Sequence, residues 1–128
     1  MKETLFAKAK EVRLNAYAPY SNFKVGAAIL SENNKIYTCC NVENGAYPSG
    51  TCAEQGAIST MIAGGCKKIK EILIIGDSKN LVSPCGACRQ RISEFSTKDT
   101  IVHIANLDGI QTTSNFDELL PINFMLRL

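Results

Sequence analysis

The sequence predicts an α/β fold, a mixed β-sheet with helices on both faces. Three observations carry this reading. Helical and strand patterns alternate through the middle of the chain, which favours a sheet covered on both sides. With 128 residues, 45% apolar and 20% charged, the chain has the size of one domain and enough apolar surface for one core. No internal repeat, linker or low-complexity segment divides it, so residues 1–128 read as a single domain.

The elements follow in order. Leu5, Ala9, Val12 and Ala16 keep the 4-3-4 spacing of an amphipathic helix over residues 3–16, and Ala18-Pro19-Tyr20-Ser21-Asn22 breaks it. Residues 25–30 and 36–42 read as strands joined by the turn Glu32-Asn33-Asn34-Lys35, a hairpin. Gly45, Pro48 and Gly50 mark residues 43–51 as an irregular loop. Residues 52–63 read as a helix stopped by Gly64-Gly65. The apolar run 69–76 reads as a buried strand. Ser83 as cap and Pro84 as first residue open a helix through about Phe95. Residues 101–105 and 110–113 read as two further strands, and 116–120 as a last short helix capped by Ser114 or Asn115. The first two strands are expected antiparallel and the central ones parallel.

Composition excludes several functions. The 14 basic and 12 acidic side chains leave a formal charge of +2, too little for a nucleic-acid footprint. No apolar stretch approaches the ~18–20 residues of a membrane span. The N-terminal residues turn charged by Lys8 and Lys10, unlike a signal peptide. A cytoplasmic protein is therefore expected, in which the six cysteines are thiols or metal ligands, not disulfides.

One constellation among them carries chemistry: Cys52-Ala53-Glu54, then Pro84-Cys85-Gly86-Ala87-Cys88. A Cys-x-x-Cys pair at a helix start puts two thiols on one face, one turn apart. A helix N-terminus also favours the thiolate. Cys52 opens another predicted helix, so facing helix starts would converge three thiolates. Three protein ligands leave the fourth position of a tetrahedral zinc ion open, the arrangement of a catalytic site. Glu54 then stands beside the metal as an acid that is not needed as a ligand. Cys39 and Cys40 point to opposite faces of a strand, with Cys40 expected near the site, and Cys66 reads as a bystander. The single histidine, His103, reads as a surface or satisfied strand residue. A redox dithiol, a four-cysteine structural site and a non-catalytic zinc-binding module remain as alternatives at this point.

Open cysteine-rich zinc with a neighbouring glutamate is the arrangement of zinc deaminases. The chain resembles the cytidine deaminase family, in its short, homotetrameric form with three cysteine ligands. The resemblance lies in residues 16–28 (Ala-Tyr-Ala-Pro-Tyr-Ser-Asn-Phe-Lys-Val-Gly-Ala-Ala), Asn41-Val42-Glu43-Asn44, Cys52-Ala53-Glu54, Pro84-Cys85-Gly86-Ala87-Cys88-Arg89-Gln90 and Leu119-Leu120-Pro121. It implies a three-layer α/β/α sandwich around a mixed five-stranded sheet. It implies hydrolysis of cytidine and 2′-deoxycytidine to the uridines and ammonia, a reaction of pyrimidine salvage, by a cytoplasmic enzyme. By the same resemblance Cys52, Cys85 and Cys88 hold Zn²⁺ and Glu54 shuttles protons. Phe23 packs on the pyrimidine, Asn41 and Glu43 bind the ribose 3′-hydroxyl, and the backbone at Ala53 contacts the base. Gly45, Ala46, Tyr47 and Phe124 approach the substrate of a neighbouring subunit. No nucleic acid and no membrane is implied as a partner. A deaminase of another cytosine-containing compound is the rival within the same chemistry.

Two departures from that pattern stand out. Short-form members commonly carry arginine directly after the glutamate, and here the residue is Gln55. Three thiolates and Zn²⁺ sum to −1, a charge that discourages deprotonation of a bound water unless a nearby cation offsets it. Arg89, directly after Cys88, is a candidate for that compensation, with the two helix dipoles. The chain also runs only eight residues past Leu120, which implies less C-terminal cover over the site.

Overall fold

The computed structural model describes residues 1–126; positions 127 and 128 of the expected domain lie outside the described residues. The strands are β1 (Val25–Ser31), β2 (Ile36–Cys40), β3 (Ile69–Gly76), β4 (Ser96–Asn106) and β5 (Gly109–Asn115). The helices are α1 (Lys2–Arg13), α2 (Ala53–Ala63) and α3 (Gly86–Glu94), with 3-10 turns at Tyr47–Ser49 and Phe116–Glu118. The strands form one five-stranded sheet in the order β2-β1-β3-β4-β5. β3 and β4 are parallel, and every other neighbouring pair is antiparallel. The mixed sheet matches expectation.

Central strands buried on both faces read as unbroken apolar runs, and β1 and β3 show why. Ala28 and Leu30 of β1, with Leu73 and Ile75 of β3, face α1 and meet Leu5 and Ala9, both fully buried. Their alternates Ala27, Ile29, Ile72 and Ile74 face the other way, into a core with Ala57, Ile58 and Met61 of α2 and Ile92 of α3. The result is the expected three-layer sandwich, α1 on one face and α2 with α3 on the other.

Boundaries differ from the sequence reading in physically informative places. α1 ends at Arg13, and Ala16 is buried beyond it. β2 ends at Cys40, although Val42 keeps isolated bridges to Tyr17 and Thr51. β4 begins at Ser96, five residues before its apolar pattern does. There Thr100 is fully buried and its hydroxyl donates to the Ile69 carbonyl at 2.6 Å, so polar residues enter the sheet with their hydrogen bonds satisfied. The last element is a single 3-10 turn after Asn115. His103 is a satisfied strand residue: it is 3% exposed and lies between Glu71 Oε1 (2.7 Å) and Thr113 Oγ1 (2.8 Å), which joins β3, β4 and β5.

α3 starts at Gly86 with Cys85 as its cap, not at Ser83 and Pro84. The Pro84 carbonyl accepts from Arg89 Nε (2.9 Å), and the first helical bond is Arg89 N–H to the Cys85 carbonyl (2.9 Å). α2 starts the same way: Cys52 is its cap, and its carbonyl takes the Gly56 N–H at 3.1 Å.

Candidate active site

Both helices thus begin on a cysteine. Cys88 is the third residue of α3, and Glu54 the second of α2. The Sγ atoms of Cys52 and Cys88 are 2.7 Å apart. Together with a Glu54 carboxylate oxygen they form a cluster whose ligand atoms all lie within 4.8 Å of one another. Cys85 is exposed and stands outside that tight group, but it lines the same cavity as Cys52, Glu54 and Cys88. Soft sulfur donors at two helix N-termini, beside one carboxylate, suit zinc. The donor set fits the ion that the spacing implies.

The electrostatics of the cluster follow from its crowding. The Cys52 thiol is drawn down to about 6, first by its hydrogen bond with Cys88, then by the Gln55 N–H and the Arg91 guanidinium, against the effect of burial. Cys88 is pushed upward by the same hydrogen bond and by burial. A metal ion held by these sulfurs would displace the proton they share, since thiolates are the ligating form. The Glu54 carboxyl is 6% exposed. Burial, and then the charge on Cys52, raise it to about 6, which suits an acid/base group working near neutral pH.

The cluster forms part of the wall of a cavity of about 550 Å³, within the ~300–1,000 Å³ of small-molecule sites. Asn41, Glu43, Tyr47 and Ala53 also line it. Asn41 and Glu43 are already engaged with backbone. Asn41 Oδ1 accepts from Val25 N–H (2.8 Å) and its Nδ2 donates to the Phe23 carbonyl (2.9 Å). Glu43 accepts the N–H groups of Tyr20 (2.9 Å) and Ser21 (3.1 Å) and the Ser21 hydroxyl, which hold its carboxyl below the usual range. Four of the expected substrate contacts are not in this cavity's lining. Phe23 packs beside Gly76 and Val82, the latter a lining residue. Gly45 abuts the Tyr20 ring, Ala46 N–H bonds Asn44 Oδ1 (2.9 Å), and Phe124 is 67% exposed with its carbonyl taking Gln90 Nε2 at 3.3 Å.

The candidate cation is corrected by the structure. Arg89 does not face the sulfurs; it binds the Pro84 carbonyl, the Leu119 carbonyl (2.8 Å) and the Ser83 hydroxyl (2.7 Å). Arg91 faces them instead, with Nη1 at 3.5 Å from both Cys52 Sγ and Cys88 Sγ. The available signal was its spacing, three residues after Cys88, which puts both side chains on one helix face. The remaining cysteines are packing groups. Cys39 borders the α2 core with its Sγ against Gly56, Cys66 is buried against Tyr37 and Asn33, and burial raises the Cys40 thiol.

A sequence model of the family described as "Cytidine and deoxycytidylate deaminase zinc-binding region" matches residues 1–104. The chain is 43% identical over 119 residues to the cytidine deaminase of Sporosarcina psychrophila, covering 93% of this chain and 88% of the relative. It is 38% identical over 120 residues to that of Halalkalibacterium halodurans, covering 94% and 91%. Among solved structures, cytidine deaminase from Burkholderia pseudomallei superposes with a TM-score of 0.91 at 37% identity, covering 97% and 99% of the two chains. That of Mycobacterium tuberculosis superposes at 0.83 with 29% identity and 97% of each chain.

Proposed function

The chain belongs to the cytidine deaminase family, and from that premise we propose how its residues divide the work. The protein is a zinc-dependent hydrolase of nucleoside metabolism that converts cytidine and water to uridine and ammonia. We extend the substrate to 2′-deoxycytidine. Pyrimidine salvage is the role this reaction serves.

Cys52, Cys85 and Cys88 would hold the zinc ion. Bound there, it would supply Lewis acidity that lowers the pKa of a water from 15.7 toward ~7. Glu54, buried at the cavity wall, takes a proton from the attacking water and gives it to N3 of the base. As oxygen adds to C4 and the C4–amine bond breaks, Glu54 relays the second proton to the departing ammonia. Its burial and near-neutral proton affinity suit both directions of transfer. The Ala53 N–H, at the first turn of α2, has no intrahelical acceptor and is free to meet the base. Asn41 and Glu43 keep unused hydrogen-bonding capacity at the cavity wall for the ribose 3′-hydroxyl. Phe23 supplies the aromatic wall against the pyrimidine. Gly45, Ala46, Tyr47 and Phe124 complete the site of a neighbour in a homotetramer. The enzyme works in the cytoplasm as one domain over residues 1–128. Among the described residues no helix is long and apolar enough to cross a membrane.

One observation carries this reading: two thiols and a buried carboxyl within 4.8 Å of one another on the wall of a nucleoside-sized cavity. The test is the loss of cytidine absorbance with purified protein, before and after zinc is stripped by a chelator. Turnover that disappears with the metal and returns with added zinc is expected. Zinc-loaded protein that releases no ammonia from cytidine or deoxycytidine overturns the reading.

A further inference from the structure

The charge at the cysteine cluster is met by a residue that the catalytic scheme leaves unused. Arg91 Nη1 is 3.5 Å from the sulfurs of both Cys52 and Cys88, so one guanidinium bridges α2 and α3 at the point where they hold the metal. Among the described residues its hydrogen bonds go to these two sulfurs, and its charge also acts on Glu54. Among the described residues the ion pairs are the N-terminal amine with Glu3 and His103 with Glu71, neither involving Arg91. The other candidate donors are committed elsewhere. Arg89 is spent on two backbone carbonyls and Ser83, and the neutral Gln55 donates to Ser59 Oγ at 3.1 Å. Arg91 also lies outside the cavity lining, so it touches the ligands and not the place where a nucleoside sits.

We propose that Arg91 is a positioning residue of the zinc site, the cation that offsets its −1 charge by reaching, from α3, the sulfurs of ligands on both helices. The inference rests on the functional reading above. Hydrogen bonds to ligand sulfur and a positive charge outside the ligand shell strengthen metal retention and restore the acidity of the metal's water. Nη1 alone carries two N–H groups and reaches both sulfurs, and the delocalised charge of the guanidinium stays on at any working pH.

The test compares zinc-loaded wild type, Arg91→Gln, Arg91→Lys and the double variant Gln55→Arg/Arg91→Gln. Two quantities are read: the rate of zinc transfer to a chromogenic chelator, and kcat separately from KM for cytidine. For Arg91→Gln, zinc release rises and kcat falls, each by about 10–100-fold, while KM stays within about twofold because the cavity wall is untouched. Arg91→Lys recovers part of both losses, and the double variant recovers both, since the charge returns from the other helix. Wild-type zinc release and kcat in Arg91→Gln overturn the inference and leave the functional reading intact. So does a folded Arg91→Gln whose losses neither the lysine nor the relocated arginine relieves, because the role is then packing. Wild-type protein that binds no zinc overturns the functional reading itself, and this inference with it.

Discussion

At the residue scale, Glu54 is the group whose environment most clearly defines its task. A carboxyl 6% exposed and raised to about 6 by burial, beside a thiolate, is not positioned to stabilise the fold. Glu54→Gln keeps the volume and removes the exchangeable proton. We expect turnover to drop by at least about 10²–10⁴-fold, while zinc content measured by atomic absorption stays near one per chain. Cytidine turnover near the wild-type rate in that variant removes Glu54 from the proton path. Cys52, Glu54 and Cys88 were legible in the sequence because their spacing carries chemistry. Arg91 was not, because an isolated arginine on a helix reads as a solvated surface residue. Choosing Arg89 for its adjacency to Cys88 failed for a geometric reason. Successive helical residues point ~100° apart, whereas residues three apart share a face.

At the element scale, the site depends on how closely helices press on the sheet, and glycines set those distances. A Cβ on Gly26 of β1 would lie 2.2 Å from the Ala9 carbonyl oxygen and 3.0 Å from Arg13 Cβ. Gly26→Ala therefore lifts α1 off the sheet. An overpacking cost of about 1–3 kcal/mol is expected, read as a lower denaturant midpoint with unchanged slope. An unchanged midpoint would show that α1 is free to shift. On the opposite face, Gly56 lets α2 reach Cys39, whose Sγ would be 2.5 Å from an added Cβ. The apolar strands and the α2 helix were readable from pattern because burial imposes it. The start of β4 was not: Ser96–Thr100 is polar, and it joins the sheet through hydroxyl hydrogen bonds that leave no apolar periodicity. The start of α3 was misplaced for a related reason. Ser83 and Pro84 have the chemistry of a helix opening, but Arg89 takes their hydrogen-bonding groups, and the cap passes to Cys85.

At the scale of the whole molecule, the mouth of the cavity bears on assembly. Tyr20, Val42 and Tyr47 line that cavity and are 53%, 47% and 77% exposed. Tyr20 and Tyr47 stack edge to face with centroids 6.1 Å apart, and Tyr17, 55% exposed, bridges to Val42. Scattered apolar residues on a surface need no explanation, whereas a contiguous aromatic rim around a polar site marks a surface that something covers. Phe124, also exposed, lies on a different segment, tied to α3 through Gln90 and, at the neighbouring Asn123, through Ser93. Gly45, Ala46 and Phe124 lie outside this chain's own cavity lining and are available to another subunit's, while Tyr47 stands at the mouth between the two. A closed assembly of identical chains buries such rims in self-complementary pairs. The expected outcome is a particle four times the mass of one chain in sedimentation equilibrium. Activity per chain should fall together with that mass as the protein is diluted, and addition of zinc should not restore it. A monomer with full activity at every dilution would show that each chain completes its own site, and would withdraw Gly45, Ala46, Tyr47 and Phe124 from it.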